Sequence, residues 1–411
     1  MENFKGIPWY MDEHAAKKPE ATIISVDGDE LTYGTFLKET LTTARALSGA
    51  GRKRGDKVGI IIPNSVLWYR LFWSIVRIGA LPVPLDPQTG GWELRQLLSL
   101  MDIRVFFTAS RFRANPILEN LIDICREEGL PARIITIDTP QYPVDEDARI
   151  GTNDVCVETL HSFYQRGEGC ALTKHTVNAD DLLMFACTSG TTGNPKIIAV
   201  EHQGFHTAQK DMADYLELGP ADIMLLGMPL YHQGGFGMGL QSVLAGGSVI
   251  YQSRFVPEQF LKTIEEKKVT VIQLTATLAK ILVTVPDFDD YDLSSVQLAY
   301  FAGEVLPDDV ARTFYRQLGI RVINIIGSTE TGTMVVWDSL YDTSVDVNTF
   351  SRLPFTDFRI RREDGTEAAT GETGLLWIMT DAVLREYYSN KGEKTARIET
   401  VGGKRWFNTG D

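Results

Sequence analysis

Short apolar runs alternate with helix-length amphipathic stretches along most of this chain. Val58–Ile62 is a continuous apolar run suited to a strand buried on both faces. Ser65–Gly79 has the spacing of a helix, with Ser65 placed to cap its start and Gly79 to stop it. Leu81–Leu85 returns as a strand, followed by a helix over Trp92–Met101, a strand over Arg104–Thr108, a helix over Asn115–Gly129 and a strand over Ala132–Asp138. Such a βαβ rhythm predicts a parallel sheet with helices on its faces. Gln141–Asn178 is mixed and polar, with His161, Tyr164 and His175, and is expected to be a connection. Strand patterns then resume at Leu182–Cys187, Ile223–Leu226, Ser248–Tyr251, Val269–Gln273, Gln297–Phe301 and Arg321–Ile326. Helices are expected over Gln203–Leu218, Pro257–Lys267 and Pro307–Leu318. From about Asp346 the pattern turns to β runs and turns, such as Asp357–Arg362, Glu363-Asp364-Gly365 and Gly374–Thr380.

The expected fold class is α/β. Two packed αβ subdomains with parallel-rich sheets, residues 1–178 and 179–345, precede a smaller β-rich subdomain over 346–411. Composition agrees with a globular protein, at 44% hydrophobic and 23% charged residues. The net charge of −14 argues against a nucleic-acid partner or an anionic membrane surface. The most apolar stretch, Val66–Leu85, is interrupted by Arg70, Arg77, Pro82 and Pro84 and reads as a buried helix and strand rather than a membrane span. Met1–Tyr10 has early charges and no apolar core, so no signal peptide is expected. Cys125, Cys156, Cys170 and Cys187 form no C-x-x-C pair and suit reduced thiols in a cytoplasmic protein.

The most distinctive segment is Thr188-Ser189-Gly190-Thr191-Thr192-Gly193-Asn194-Pro195-Lys196, which follows one apolar strand and precedes another apolar run. Its glycines free the backbone amides to face an anion, its hydroxyls add donors, and Lys196 adds a point charge. The spacing is not that of a Walker A loop. The segment resembles the signature of the adenylate-forming superfamily: acyl- and aryl-CoA synthetases, peptide-synthetase adenylation domains and luciferase-like enzymes. Further motifs of that family follow in order over nearly the whole chain, beside the early Leu31-Thr32-Tyr33-Gly34. They are Pro229-Leu230-Tyr231-His232-Gln233-Gly234-Gly235, Ala302-Gly303-Glu304, Asn324-Ile325-Ile326-Gly327-Ser328-Thr329-Glu330-Thr331, Gly371-Glu372-Thr373-Gly374 and Trp406-Phe407-Asn408-Thr409-Gly410-Asp411. The resemblance is closest to the acyl/aryl-CoA ligase branch.

That resemblance implies ATP-dependent conversion of a small-molecule carboxylic acid to an acyl-adenylate, with pyrophosphate release and transfer to a thiol. The thiol would be CoA or the phosphopantetheine of an acyl carrier protein. It implies phosphate binding by Thr188, Ser189, Gly190, Thr191, Thr192, Gly193 and Lys196, and Mg²⁺ ligation by Glu330. Thr329 would donate to the α-phosphate. The adenine and ribose would lie along Gly303, Glu304, Ile326, Gly327 and Ser328, with both ribose hydroxyls on Asp411. His232 would stand at the entrance of the acid pocket and act on the carboxylate, although a lone histidine also suits a structural role. Gly235, Phe236, Ala302, Gly303, Gly327 and Met334 would line that pocket; for the residues around Phe236, core packing of a helix is the competing reading.

Three departures matter. Ile197 follows Pro195-Lys196 where the family usually has glycine. Ile326 stands where an aromatic ring would stack on adenine. No aspartate occupies the region around Tyr231–Gly234 that meets an amino-acid substrate's ammonium, so an uncharged aryl or short to medium aliphatic acid is expected. The family's small C-terminal domain, with its catalytic lysine, would follow Asp411; these residues alone are therefore expected to turn over slowly, and Asp411 to be loosely held. Two other readings remain open: adenylation for a non-thiol acceptor, and a nucleotide- or acyl-binding module without turnover.

Overall fold

The computed structural model describes residues 4–137, 155–173, 175–188, 196–340, 343–388 and 397–411. They form a mixed α/β fold with parallel-rich sheets and a separate antiparallel β subdomain, as the patterning predicts. Two compact units are present: Met1–His202 with Leu230–His232 and Tyr387–Lys391, and Gln203–Pro229 with Gln233–Glu386 and Gly392–Asp411.

The first unit is built on a five-stranded sheet ordered Leu81–Pro84, Lys57–Ile61, Ile103–Ala109, Ala132–Ile137, Val155–Thr159, all parallel. The helix Val66–Arg77 begins where expected, because the Ser65 hydroxyl accepts from the Trp68 amide at 3.1 Å. It ends before Gly79, whose φ of +72° suits a residue without a Cβ. The helix is apolar almost all round, and Trp68, Leu71, Phe72, Trp73 and Ile75 are all buried. Its two arginines are paired, Arg70 with Glu39 and Arg77 with Asp12. The Leu31-Thr32-Tyr33-Gly34 motif is a strand-to-helix junction: Leu31 belongs to the strand Asp29–Thr32, and the Thr32 hydroxyl caps the helix Tyr33–Gly49 by accepting from Thr35 N at 3.1 Å.

The segment expected to be a connection, Gln141–Asn178, is not one throughout. Residues 155–167 continue the rhythm as the strand Val155–Thr159 and the helix Leu160–Gly167, and the strand adds in parallel to Ala132–Ile137. Its apolar signal is broken by Glu158, which is buried but carried by ion pairs with Arg133 and Arg166. Leu182–Thr188 differs too. It pairs antiparallel with Lys196–Glu201 instead of joining a parallel array.

In the second unit, strands Arg321–Ser328, Leu298–Ala302, Val271–Leu274, Ile223–Leu226 and Ser248–Tyr251 run parallel in that spatial order. Gly332–Asp338 doubles back antiparallel along Arg321–Ser328. The expected helix Pro307–Leu318 is a short α-helix, Asp308–Arg312, that widens into a π turn over Thr313–Gln317 and buries Phe314. The core of this unit joins Phe260, Leu261, Ile264, Leu274, Phe301 and Phe314. The β-rich end is a four-stranded antiparallel sheet ordered Asp357–Arg361, Leu375–Met379, Lys404–Asn408, Ile398–Val401. Among the described residues no helix is long and apolar enough to cross a membrane.

The helix His202–Tyr215 carries a pH-sensitive group. Burial, reinforced by the Lys210 charge, pushes His206 down from 6.5 to about 4. The unfolded chain takes up a proton near 6.5 and the folded chain only near 4. Stability from this group is therefore complete above pH 6.5 and is lost as pH falls to about 4. Urea midpoints measured across that range should fall with pH, and the slope should flatten in His206→Gln.

Candidate active site

The sequence motifs fall into sets that each unit organises by its own local structure. In the first unit, Thr188 and Lys196 are register partners across the antiparallel pair Leu182–Thr188 and Lys196–Glu201. The residues joining them, Ser189, Gly190, Thr191, Thr192 and Gly193 with Asn194 and Pro195, lie outside the described residues. The pair is anchored by the Tyr388 amide, which donates to Ile197 O at 2.8 Å, and by Phe185 against Tyr388 at 4.6 Å. The Lys196 ammonium lies 5.8 Å from the Tyr387 ring centroid.

His232 belongs to the same unit. It is placed by Leu230, whose amide donates to Asn64 Oδ1 at 2.8 Å. Surrounding protein desolvates its ring enough to lower its pKa, against the opposing pull of Asp86. A histidine so placed is neutral at neutral pH and can accept a hydrogen bond or proton. Tyr231 beside it is pushed up to about 12 by burial and the Asp86 charge, so it remains a neutral phenol.

In the second unit, Gln233 opens the helix Gln233–Leu244, so Gly235 and Phe236 sit in its first turn, both buried. A Cβ at Gly235 would overlap the carbonyl oxygen of Pro229 and stand 2.7 Å from that of Met228. Phe236 stacks on Phe205, with centroids 6.0 Å apart and planes at 11°. Ala302 ends the strand Leu298–Ala302, and Gly303 turns out of it with a φ of +91°, a conformation that excludes a side chain without strain. Glu304 turns its carboxylate to the Thr277 amide at 2.6 Å, where it helps start the helix Ala276–Leu282.

The next strand over, Arg321–Ser328, carries Ile326, Gly327 and Ser328 and feeds a tight turn into Gly332–Asp338. Thr331 N donates to Ser328 O at 3.3 Å, and the two side-chain hydroxyls are 2.9 Å apart. Thr331 is fully buried, whereas Thr329 and Glu330 are half-buried. The turn is held from outside. Leu384 N donates to Glu330 O at 2.8 Å, and the Thr380 hydroxyl donates to Thr331 O at 2.7 Å. Ile326 lies opposite Val335 and packs on the cluster of Met334, Val335 and Ile378, which places Met334 in an apolar core. Thr380 and Leu384 carry no motif and are invisible to sequence reading; their role comes from fold contacts, which for Thr380 and Thr331 span 49 residues.

Asp411 is exposed but not frayed: its carbonyl accepts from Leu376 N at 3.0 Å and its amide donates to Thr409 Oγ1 at 3.1 Å. Among the described residues no group of three or more His, Cys, Asp or Glu side chains could hold a metal. A single accessible carboxylate such as Glu330 fits Mg²⁺, which keeps several waters and takes its remaining ligands from substrate phosphates. It does not fit a fully protein-ligated ion such as structural zinc.

Comparison with known proteins identifies the family. The AMP-binding enzyme family matches residues 11–388. The indoleacetate–CoA ligase of Aromatoleum aromaticum is 26% identical over 98% of this chain and 74% of its own length. The long-chain-fatty-acid–CoA ligase FadD13 of Mycobacterium tuberculosis is 25% identical over 99% of this chain and 76% of its own. Among solved structures, an anthranilate CoA ligase bound to anthranoyl-AMP superposes with a TM-score of 0.84 at 21% identity, over 100% of this chain and 75% of that one. The inhibitor-bound N-terminal domain of FACL13 from Mycobacterium tuberculosis gives 0.82 at 24% identity, over 99% and 96%. The chain belongs to the AMP-binding enzyme family.

Proposed function

We propose that this chain activates an uncharged aryl or aliphatic carboxylic acid with ATP and that the acyl group passes to the thiol of CoA. A carboxylate oxygen attacks the α-phosphorus, the bond to the bridging oxygen breaks, and pyrophosphate leaves. The thiolate then attacks the acyl carbon and AMP departs. Both substrates of the first step are anions, so alignment and charge neutralisation dominate the barrier.

The observation that carries this reading is the clamped turn Ser328–Gly332. Its backbone is tied at Glu330 and Thr331 by Leu384 and Thr380, which leaves the Thr329 hydroxyl and the Glu330 carboxylate partly accessible on a rigid support. In the proposed roles, Thr329 donates to the α-phosphate and Glu330 holds Mg²⁺. That ion would neutralise phosphate charge when bound. Lys196 and the residues from Thr188 to Gly193 bind the leaving phosphates. Gly303, Glu304 and Ile326–Ser328 flank the adenine, and Asp411 accepts from the ribose hydroxyls. Neutral His232 orients the incoming acid, with Gly235, Phe236, Ala302 and Gly327 near the acyl group.

The choice of CoA rests on the relatives, which are named as CoA ligases for an aryl-substituted acid and a fatty acid. It is tested by offering CoA, a phosphopantetheine-bearing carrier protein and hydroxylamine separately, with ATP, Mg²⁺ and a panel of acids. Mass spectrometry should find the acyl-CoA thioester. Acyl transfer to the carrier protein alone, or to the amine alone, would contradict the CoA assignment.

A further inference from the structure

The second unit contains a buried polar cluster that none of the roles above uses. Gln209, Gln241 and Tyr300 are buried, and they come from the helices His202–Tyr215 and Gln233–Leu244 and the strand Leu298–Ala302. Gln241 Nε2 donates to Gln209 Oε1 at 2.9 Å. The Gln241 Oε1 acceptor and the Tyr300 hydroxyl are both enclosed without a hydrogen-bond partner. Tyr300 faces Gln241 and Thr333 closely enough to feel both, but neither contact has hydrogen-bond geometry. Burial pushes the phenol up to about 12, so it remains a neutral donor. Leaving a buried donor and acceptor unmade is costly, and native structures rarely do so without a reason.

The surroundings suggest the reason. Two of the three elements that supply the cluster, the helix Gln233–Leu244 and the strand Leu298–Ala302, also carry residues assigned to the acyl group. Tyr300 precedes Ala302 by two positions, so both point to the same side of their strand. Thr333 is the register partner of Gly327. Gln241 shares its helix with Gly235 and Phe236. Gly237 packs against the cluster, since a Cβ there would stand 3.3 Å from Gln209 Nε2 and 3.4 Å from Phe205 Cζ. The stacked rings of Phe205 and Phe236 lie on the same two helices as Gln209 and Gln241, and the cluster holds one unfilled donor and one unfilled acceptor with no charged group.

Resting on the acid-activation reading, we propose that this cluster recognises a neutral hydroxyl on the acyl part of the substrate, so that the preferred acid is a hydroxylated one. A hydroxyl both donates and accepts, which matches Gln241 Oε1 and the Tyr300 phenol together. A methyl group of the same size would leave both unsatisfied. Sites built around such hydrogen bonds reject the analogue lacking them far more strongly than apolar pockets reject a missing methylene.

The test uses isosteric pairs: 4-hydroxybenzoate against 4-methylbenzoate, and 8-hydroxyoctanoate against nonanoate. Binding is followed by calorimetry and acyl-AMP formation by quenched assay. At least one hydroxylated acid should be preferred by about 100-fold, and Tyr300→Phe should reduce that preference to about threefold or less. Tm should hold or rise, because the hydroxyl removed is unpaired in the fold. A purely structural role would give the opposite pattern: a lower Tm with the preference intact. Gln241→Met provides an independent variant, and if both variants unfold, the wild-type comparison decides. Equal use of both members of each pair, as expected if an internal water satisfies the cluster, overturns the proposal and leaves the acid-activation reading standing. If no acid binds or forms an adenylate, the acid-activation reading falls and this proposal falls with it.

Discussion

Glu330→Gln lowers the rate of acyl-AMP formation about 100- to 1000-fold, the usual cost of removing one preorganised electrostatic contact from a charged transition state. The substitution keeps the shape of the side chain and removes its charge. Folding should barely register it, because the turn is held through the backbone: Leu384 donates to the Glu330 carbonyl, and Thr380 to that of Thr331. The carboxylate itself is half-buried, and changes at such positions usually stay within about 0.5 kcal/mol. The expected signature is thus a collapse in kcat, a raised Mg²⁺ requirement and an unchanged Tm. Activity within threefold of wild type would remove Glu330 from the metal role. A large loss of Tm would mean that its side chain supports the turn.

Gly204→Ala tests the same turn from the other side. Gly204 lies in the first turn of the helix His202–Tyr215, against the segment that clamps Glu330. A Cβ there would overlap the carbonyl oxygen of Asp381 and stand 3.2 Å from its carbonyl carbon and 3.4 Å from Ala382 Cα. All three atoms are backbone and cannot swing aside as a side chain would. The segment Thr380–Leu384 must move, and with it the donors to Thr331 and Glu330. Overpacking of this kind costs about 3 kcal/mol, and a displacement near 1 Å at reacting groups costs about 100-fold in rate. Chemical denaturation and acyl-AMP formation, measured on the same preparation, should both fall. Activity kept at full rate with reduced stability would show that the clamp does not position Glu330.

Most of what local pattern can encode was readable in the chain. The parallel rhythm from Lys57 to Ile137 shows in continuous apolar runs, since its strands are covered on both faces. Ser65 and Gly79 mark the ends of their helix because capping and a left-handed φ are requirements on single residues. The strand Val155–Thr159 is hidden by Glu158, whose charge reads as surface but is matched by Arg133 on the neighbouring strand and Arg166 on the helix that follows. The antiparallel return at Gly332–Asp338 follows from a tight turn, which apolar periodicity does not register.

The candidate site divides along the same line. Order and spacing of the motifs are local, so the run from Thr188 to Asp411 is legible. What supports the motifs is not. Thr380 and Leu384 hold the Glu330 turn through contacts about 50 residues apart in sequence. Gln209, Gln241 and Tyr300 meet only because two helices and a strand pack together. The sequence does point to Asp411. It does not show that the Asp411 carbonyl accepts from the Leu376 amide rather than being left loose.

The central claim is acyl-adenylate formation, and the most direct measurement is acid-dependent exchange of labelled pyrophosphate into ATP, run with and without Glu330→Gln. The account predicts exchange that requires both Mg²⁺ and a carboxylic acid, reports no CoA requirement, and falls about 100-fold or more in the variant. Exchange absent with every aryl and aliphatic acid offered, or present at the same rate without any acid, would contradict it.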